Sequence, residues 1–458
     1  MKVHFFSELA LSQSTLDDLQ HLGYEQPTPI QAQALQPILE GKDLQAKAET
    51  GSGKTAAFGI PIVEHIDLEL LEPQALIIAP TRELCNQITS AIRSFGRSKA
   101  NLRVVTLCGG VSKQPQQDAL KQGVHIVVGT PGRINDHLER ERLDLDSMRT
   151  VVLDEADRML DMGFAPQIGD IVSHFPEEHQ TLLFSATYDQ NARELANAIT
   201  DDPVFVEIEP QQTTDNLKQW LCRCSDSNRE QTVHDLLVQF QFESSIIFCN
   251  TKKGCQELRS YLRGLGHAAH TLHGDLEQTE REDILVQFAH RSATILIATD
   301  VAARGLDIEA VPGVINYDVP TDPSTYTHRI GRTARAGNSG TAITLCSNSE
   351  NHRWDRITET QQANAEPLLS KDSGGKKPAF APYRTLCVLG GRKNKLRAGD
   401  ILGALTRDDL LSREHIGKID IMENVSYAAI DNTVTKLALD QVQKGRIKGK
   451  KYRAKILK

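Results

Sequence analysis

The stretch AETGSGKT, residues 48–55, decides how the rest of the chain is read. It follows the strand-like run LQAKA and precedes the apolar, helix-length run AAFGIPIV. Gly51, Ser52 and Gly53 allow the tight turns that aim successive backbone N–H groups at a phosphate. Lys54 is placed to reach the outer phosphate oxygens, and Thr55 to offer its hydroxyl to Mg2+. Ala48 stands where the generic form of such a loop has Gly. A chance surface loop of Gly and Ser is the bland alternative, and the strand-loop-helix setting argues against it.

A phosphate loop of this kind needs an acid at the end of another strand. VVLDEADRM supplies one: Val151, Val152 and Leu153 read as a buried strand, followed by Asp154 and Glu155. Asp154 suits Mg2+ held through water, and Glu155 suits polarisation of an attacking water. Acids here would also suit a helix N-terminus for its dipole alone. Paired with Lys54, they point to nucleotide hydrolysis.

Outward from these motifs, residues 44–208 alternate short apolar runs (QALIIAP, RVVTLCG, VHIVVGT, RTVVLDE, QTLLFSA, VFVEI) with amphipathic stretches of helical length. That rhythm predicts a mostly parallel sheet with helices on both faces. A second set, SSIIFCN, HAAHTLHG, ATILIATD, GVINYDV and GTAITLCS, predicts a second α/β domain after a short connection near 208–215. Residues 361–382, rich in small, polar and Pro/Gly residues, read as a linker. Beyond it, TLCVLGG, IGKIDIM, VSYAAID and YRAKIL with helices RAGDILGALT and NTVTKLALDQVQ give a β-α-β-β-α-β order. That order fits a small ferredoxin-like or RNA-recognition fold. The expected domains are therefore 1–208, 216–360 and 383–458.

The charge is divided the same way. The 458 residues carry a net charge of -8, yet residues 376–458 hold 19 Lys or Arg against 8 Asp or Glu, net +11. The remainder is net -19, with 33 basic against 52 acidic residues. A basic module on an acidic body is the footprint of a local polyanion site. The N-terminal MKVHFFSELALSQ has an acid at Glu8 and no long apolar run, and no stretch is long and apolar enough to suggest a membrane span. A cytoplasmic monomer is expected. The eight cysteines sit mostly in strand-like runs, as buried thiols do; Cys222 and Cys224 lack the neighbouring Cys or His that a zinc site needs.

Further motifs narrow the reading: GYEQPTPIQ (23–31), PTREL (80–84), Gly109-Gly110, TPGR (130–133), Ser185-Ala186-Thr187, TDVAARGLDI (299–308) and HRIGRTARAG (328–337). With Asp154-Glu155-Ala156-Asp157, this set resembles the DEAD-box ATP-dependent RNA helicases. The resemblance implies two tandem RecA-like domains with ATP and Mg2+ as ligands and RNA as partner. It implies Tyr24 stacking near the base, Gln31 on the adenine edge and Phe6 packing from upstream. Arg82, Gly110, Arg133, Gln278, Arg281 and Thr299 become the implied contacts to RNA. Asp157, Ser185 and Thr187 would couple hydrolysis to domain closure. Arg329 and Arg332, three apart, would then meet the γ-phosphate as arginine fingers, and Asp307 the ribose hydroxyls. Glu49 departs from the Gln or Lys common at its position; its side chain is expected to face outward.

The basic module resembles the C-terminal domain of the bacterial DbpA and YxiN group of these helicases, which implies 23S ribosomal RNA as target and large-subunit assembly as setting. NVSYAAID offers only Tyr427 where an RNA-recognition fold usually shows several rings. The expected surface is therefore charged: Arg392, Lys393, Lys395, Arg397, Lys448 and Lys451. Two other classes stay open on the residues alone, a DNA-activated ATPase and a non-catalytic RNA clamp. Stimulation by DNA, or absence of RNA-dependent phosphate release, would mark them.

Overall fold

Along Ala75–Ile78 successive side chains enter different cores: Ala75 and Ile77 one, Leu76 and Ile78 the other. Ile126–Gly129 and Thr150–Asp154 do the same, so these strands are apolar without alternation because both faces of their sheet are covered. Each Ile, Leu or Val so buried contributes roughly 1.5–3 kcal/mol. The structure is a computed structural model and describes residues 3–457 apart from 50, 189, 209–215, 304–309, 335–338, 362, 364, 373 and 408–410.

The first sheet has seven parallel strands, in the order Val104–Leu107, Ile126–Gly129, Ala75–Ile78, Thr150–Asp154, Gln180–Ser185, Leu44–Lys47 and Val204–Glu207. This order sets the end of Gln180–Ser185 between the phosphate loop and the acid motif. A second seven-stranded parallel sheet runs Ala269–Leu272, Ile295–Ala298, Ser245–Phe248, Gly313–Asn316, Gly340–Cys346, Leu217–Arg223 and Glu366–Leu368. Its last two strands were not evident from apolar runs. Glu366–Leu368 falls inside the stretch expected to be linker, because a short edge strand is held by main-chain pairing to Leu217–Arg223 and needs no apolar pattern.

The third sheet is antiparallel, in the order Ile416–Ile421, Ser426–Asp431, Tyr383–Val388, Ala454–Ile456. The basic tail thus supplies the closing strand. Leu386, Val388, Ala428 and Ile430 face the module's own helices Ala398–Leu405 and Thr435–Lys444. The opposite face rests on the second α/β domain. Cys387, Tyr427 and Leu457 pack with Val286 of the helix Gln278–Ala289. Tyr427 OH donates to Asp283 Oδ1 at 2.8 Å, His290 Nε2 lies 2.9 Å from Asp420 Oδ2, and the Ser292 and Thr385 hydroxyls are 2.6 Å apart. Among the described residues no helix is long and apolar enough to cross a membrane.

Val286 sits at the centre of this contact. Val286→Asp would bury a charge against Tyr427 and Cys387, costing several kcal/mol. The module should detach while both domains stay folded. Hydrogen exchange should then rise together in 278–289 and 426–431, leaving the sheet strands of the second domain protected.

Candidate functional site

The phosphate loop owes its shape to backbone that side chains resist. Gly51 and Gly53 have φ of +87° and +99°, the left-handed region that glycine occupies without strain. Gly53 caps the helix Lys54–His65, so the helix N-terminus opens onto the loop. Ser52 Oγ donates to Glu49 O at 2.7 Å and tightens the turn, while the Glu49 side chain is exposed. Lys54 lies at the start of the helix, only 6% exposed.

Across from it, Asp154 ends its strand and Glu155 follows with φ +56°, both 3% exposed. Lys54 Nζ stands 4.0 Å from Asp154 Oδ1. Among the described residues both atoms are buried without a hydrogen-bond partner, an arrangement that costs upwards of about 1–3 kcal/mol per group. Burial pushes the Asp154 carboxyl up to about 6, against the pull of Lys54. A bound phosphate would satisfy the ammonium, and a divalent cation the carboxylate. Thr55, one residue on, is half-buried. Glu155 is differently placed: its Oε2 accepts from Arg158 Nη1 at 2.8 Å. Asp157 Oδ2 accepts from both the backbone N–H and hydroxyl of Thr187, each at 2.9 Å, and Ser185 Oγ donates to Thr187 O at 2.6 Å. The acid motif and the SAT loop are therefore tied directly.

Gln31 is 1% exposed and spans two elements. Its Oε1 accepts from Thr28 N at 3.0 Å and its Nε2 donates to Gly53 O at 3.1 Å. Each end of the amide keeps one unused capacity, an N–H on Nε2 and a lone pair on Oε1, while its present bonds fasten GYEQPTPIQ to the phosphate loop. Tyr24 packs edge-on between Phe6 and Phe95, at 6.1 and 5.8 Å between ring centroids. Phe6 is buried and Tyr24 half-buried.

Of the residues expected at RNA in this domain, Arg82 and Gly110 come together: a Cβ at Gly110 (φ +68°) would overlap the Arg82 guanidinium. Arg133 is 9% exposed, with Nη1 donating to Gln116 Oε1 at 2.9 Å and Nη2 to Val111 O at 3.4 Å, so it braces the loop after Gly110. In the second domain Arg281 Nη2 donates to Ala302 O at 2.6 Å, which ties the helix Gln278–Ala289 to the segment after Thr299. Gln278 Nε2 reaches Glu282 Oε1 at 3.1 Å, and Thr299 is half-buried. Asp307 lies outside the described residues.

Arg329 departs from its expected role. It is 1% exposed; Nε and Nη2 grip the two Asp300 oxygens at 2.6 and 2.7 Å, Nη2 also reaches Asn250 Oδ1 at 2.7 Å, and Nη1 donates to Asp318 O at 2.8 Å. The helix Pro323–Ile330 carries it into the core, over the Phe248 ring, where a bidentate carboxylate saturates it. It holds the segment next to Thr299 and presents no free donor edge to a phosphate. Arg332 is 4% exposed, and its carbonyl accepts from Val311 N at 3.1 Å.

On the basic module, Arg392, Lys395, Leu396, Arg397, Ile421 and Lys448 line a cavity of about 570 Å3. Lys448 Nζ bonds Asp400 Oδ2 at 3.0 Å and Lys395 O at 2.8 Å. Lys393 and Lys451 are exposed outside this lining. Tyr427 is only 4% exposed and its hydroxyl is used by Asp283, so it cannot serve as a stacking platform in this docked arrangement.

The family described as DEAD/DEAH box helicase matches residues 28–195, the helicase conserved C-terminal domain 228–337, and the DbpA RNA binding domain 385–456. The ATP-dependent RNA helicase DbpA of Escherichia coli (strain K12) is 43% identical over 99% of both chains, and its namesake in Bacillus subtilis (strain 168) 37% identical over 98% of both. Saccharomyces cerevisiae Dbp5 bound to RNA and ADP BeF3 superposes with a TM-score of 0.73 at 31% identity, covering 81% of this chain and 97% of its own. The chain belongs to the DEAD-box RNA helicases of the DbpA type. It is an ATP-dependent RNA helicase with an RNA-binding C-terminal domain.

For this helicase, several working residues escaped sequence reading. Arg158 was visible as the third residue after Glu155, but spacing alone does not separate a buried partner from a surface ion pair. Gln116, Asn250, Asp300 and Asp318 act by holding arginines from distant elements and leave no local signal. The face of Gln278–Ala289 that receives the module is mixed in polarity, with Asp283 beside Val286.

Two outcomes follow from the loop and the acid. A Cβ on Gly53 would lie 2.5 Å from Gln31 Nε2 in a backbone that alanine resists, so Gly53→Ala should weaken ATP binding by at least about tenfold, about 1.4 kcal/mol, in a nucleotide titration. Asp154, its proton affinity raised by burial, favours folding below the ordinary carboxylate range and opposes it increasingly as pH rises toward about 6. Asp154→Asn should therefore raise the Tm of the nucleotide-free helicase more at about pH 7.5 than at about pH 4. Equal offsets at the two pH values would exclude this linkage.

Proposed function

We propose that the helicase opens short RNA duplexes locally in 23S ribosomal RNA during assembly of the large ribosomal subunit, as a cytoplasmic monomer. The observation that carries the targeting is the basic cavity of Arg392, Lys395, Arg397 and Lys448 on a module whose sheet face is already covered. A single-stranded loop or hairpin tip held there meets charge at the rim, with Leu396 and Ile421 as apolar floor. The resemblance to the DbpA and YxiN group supports ribosomal RNA as that ligand.

In the core, Lys54 takes the outer phosphate oxygens of ATP; Thr55 and Asp154 would hold Mg2+, which would offset phosphate charge when bound. Glu155 accepts the proton of the attacking water. Arg332 supplies positive charge to the transferring phosphoryl once the domains close over RNA, while Arg329 keeps the Thr299 segment in place. Arg82, Gly110, Arg133, Gln278, Arg281 and Thr299 meet phosphate and 2′-hydroxyl groups, so the core reads little sequence and depends on the module for its address.

The test compares RNA-stimulated ATP hydrolysis by the full chain and by a chain ending at residue 375, each with a 23S fragment and with an unrelated hairpin. The truncated chain should keep activity with excess generic RNA and lose its preference for the fragment. Reversing Lys393, Lys395 and Arg397 together should reproduce part of that loss and flatten the salt dependence, since fewer counterions are released. Equal loss of both activations on truncation would make the module a general anchor and end the targeting proposal.

A further inference from the structure

Arg158 occupies a costly position. It is 2% exposed in the short helix Ala156–Asp161, where desolvation disfavours a cation. Its Nε has no hydrogen-bond partner among the described residues. Its clear compensation is Nη1, 2.8 Å from Glu155 Oε2.

Three carboxylates crowd this strand end, Asp154, Glu155 and Asp157, each at most 6% exposed. Lys54 is the other buried cation here, and its Nζ faces Asp154 from 4.0 Å across the space a phosphate would fill. When Lys54 serves phosphate, its charge and its three donors are committed. Arg158, bonded to Glu155 Oε2, is free of that duty. The Glu155 backbone, at φ +56°, fixes where the side chain starts, and the bond to Arg158 fixes where it ends. Oε1 makes no hydrogen bond among the described residues, so one oxygen is anchored and one is left for water.

We propose that Arg158 is a positioning residue for ATP hydrolysis: by gripping Glu155 Oε2 it holds Oε1 toward the attacking water while supplying the counter-charge that Lys54 cannot. The inference rests on the reading of Glu155 as the base. In the step it serves, the water oxygen bonds to the γ-phosphorus and the bond from that phosphorus to the bridging oxygen breaks, its electron pair leaving with ADP. One water proton passes to Glu155 Oε1.

The experiment measures steady-state RNA-stimulated ATP hydrolysis, ATP KM, RNA half-activation and Tm for the full chain carrying Arg158→Met, Arg158→Lys, Glu155→Gln or Glu155→Gln with Arg158→Met. Arg158→Met should lower kcat about 100-fold with KM and RNA half-activation nearly unchanged, the cost of a misplaced reacting group. Arg158→Lys keeps the charge without the planar fork, and should recover part of that loss, to about tenfold below the parent. In the Glu155→Gln background, Arg158→Met should add nothing, because groups acting as a unit are not additive. If Arg158→Met turns over at close to the parent rate, or slows the Glu155→Gln protein as much as it slows the parent, the inference fails. Should Arg158→Met not fold, Arg158→Lys decides: a lowered kcat at parental KM supports positioning, and a parental kcat overturns it. Normal turnover by Glu155→Gln alone would instead remove Glu155 as the base, a separate failure.

Discussion

Five ionisable side chains, Lys54, Asp154, Glu155, Asp157 and Arg158, are held at no more than 6% exposure at or beyond the carboxyl ends of two parallel strands of one sheet. Taking such charges out of water costs several kcal/mol each unless partners are supplied. The rest of the first domain is arranged around that requirement. Strand order sets Gln180–Ser185 between Leu44–Lys47, which leads into the phosphate loop, and Thr150–Asp154, which leads into the acids. Ser185 and Thr187 therefore lie where Asp157 can use them, and no longer connection is needed. The apolar cores on both faces of the sheet supply the free energy that makes a strained, charged strand end tolerable.

Buried charges in this chain fall into two kinds, and the difference separates scaffold from site. Arg329 is saturated: two Asp300 oxygens, Asn250 and the Asp318 carbonyl take its donors. A residue bonded in this way holds its neighbours at fixed distances and has little to offer a ligand. Lys54 and Asp154 stand 4.0 Å apart with facing atoms that have no hydrogen-bond partner among the described residues. Leaving them so is expensive in the free protein, and a bound phosphate would recover part of that cost. Gln31 lies between the two kinds, since each end of its amide makes one bond, and one of these is to the phosphate loop.

Much of this was legible because the constraints are local. A glycine that must be left-handed, a lysine at the next helix start and an acid at a strand end leave marks at fixed spacing, and the two α/β domains follow from apolar runs covered on both faces. Edge strands such as Glu366–Leu368 were not legible, since main-chain pairing holds them. The two arginines of HRIGR look alike in sequence. Only packing shows that Arg329 turns into the core above Phe248 and meets Asp300. Tyr427 shows the same limit: it stood out as a lone ring on a strand, and its use in docking depends on Asp283 and Val286, well over a hundred residues earlier.

The helix Gln278–Ala289 joins these observations. Arg281, one turn into it, bonds the segment after Thr299, and Asp283 and Val286 further along receive the module. Twelve residues of helix span about 18 Å and behave as one stiff rod on this scale. A displacement at its N-terminal end, where Gln278 and Arg281 lie, therefore moves the surface on which the module sits. Covering the sheet face thus gives up a stacking platform, and in return it seats the module on the helix that carries Arg281.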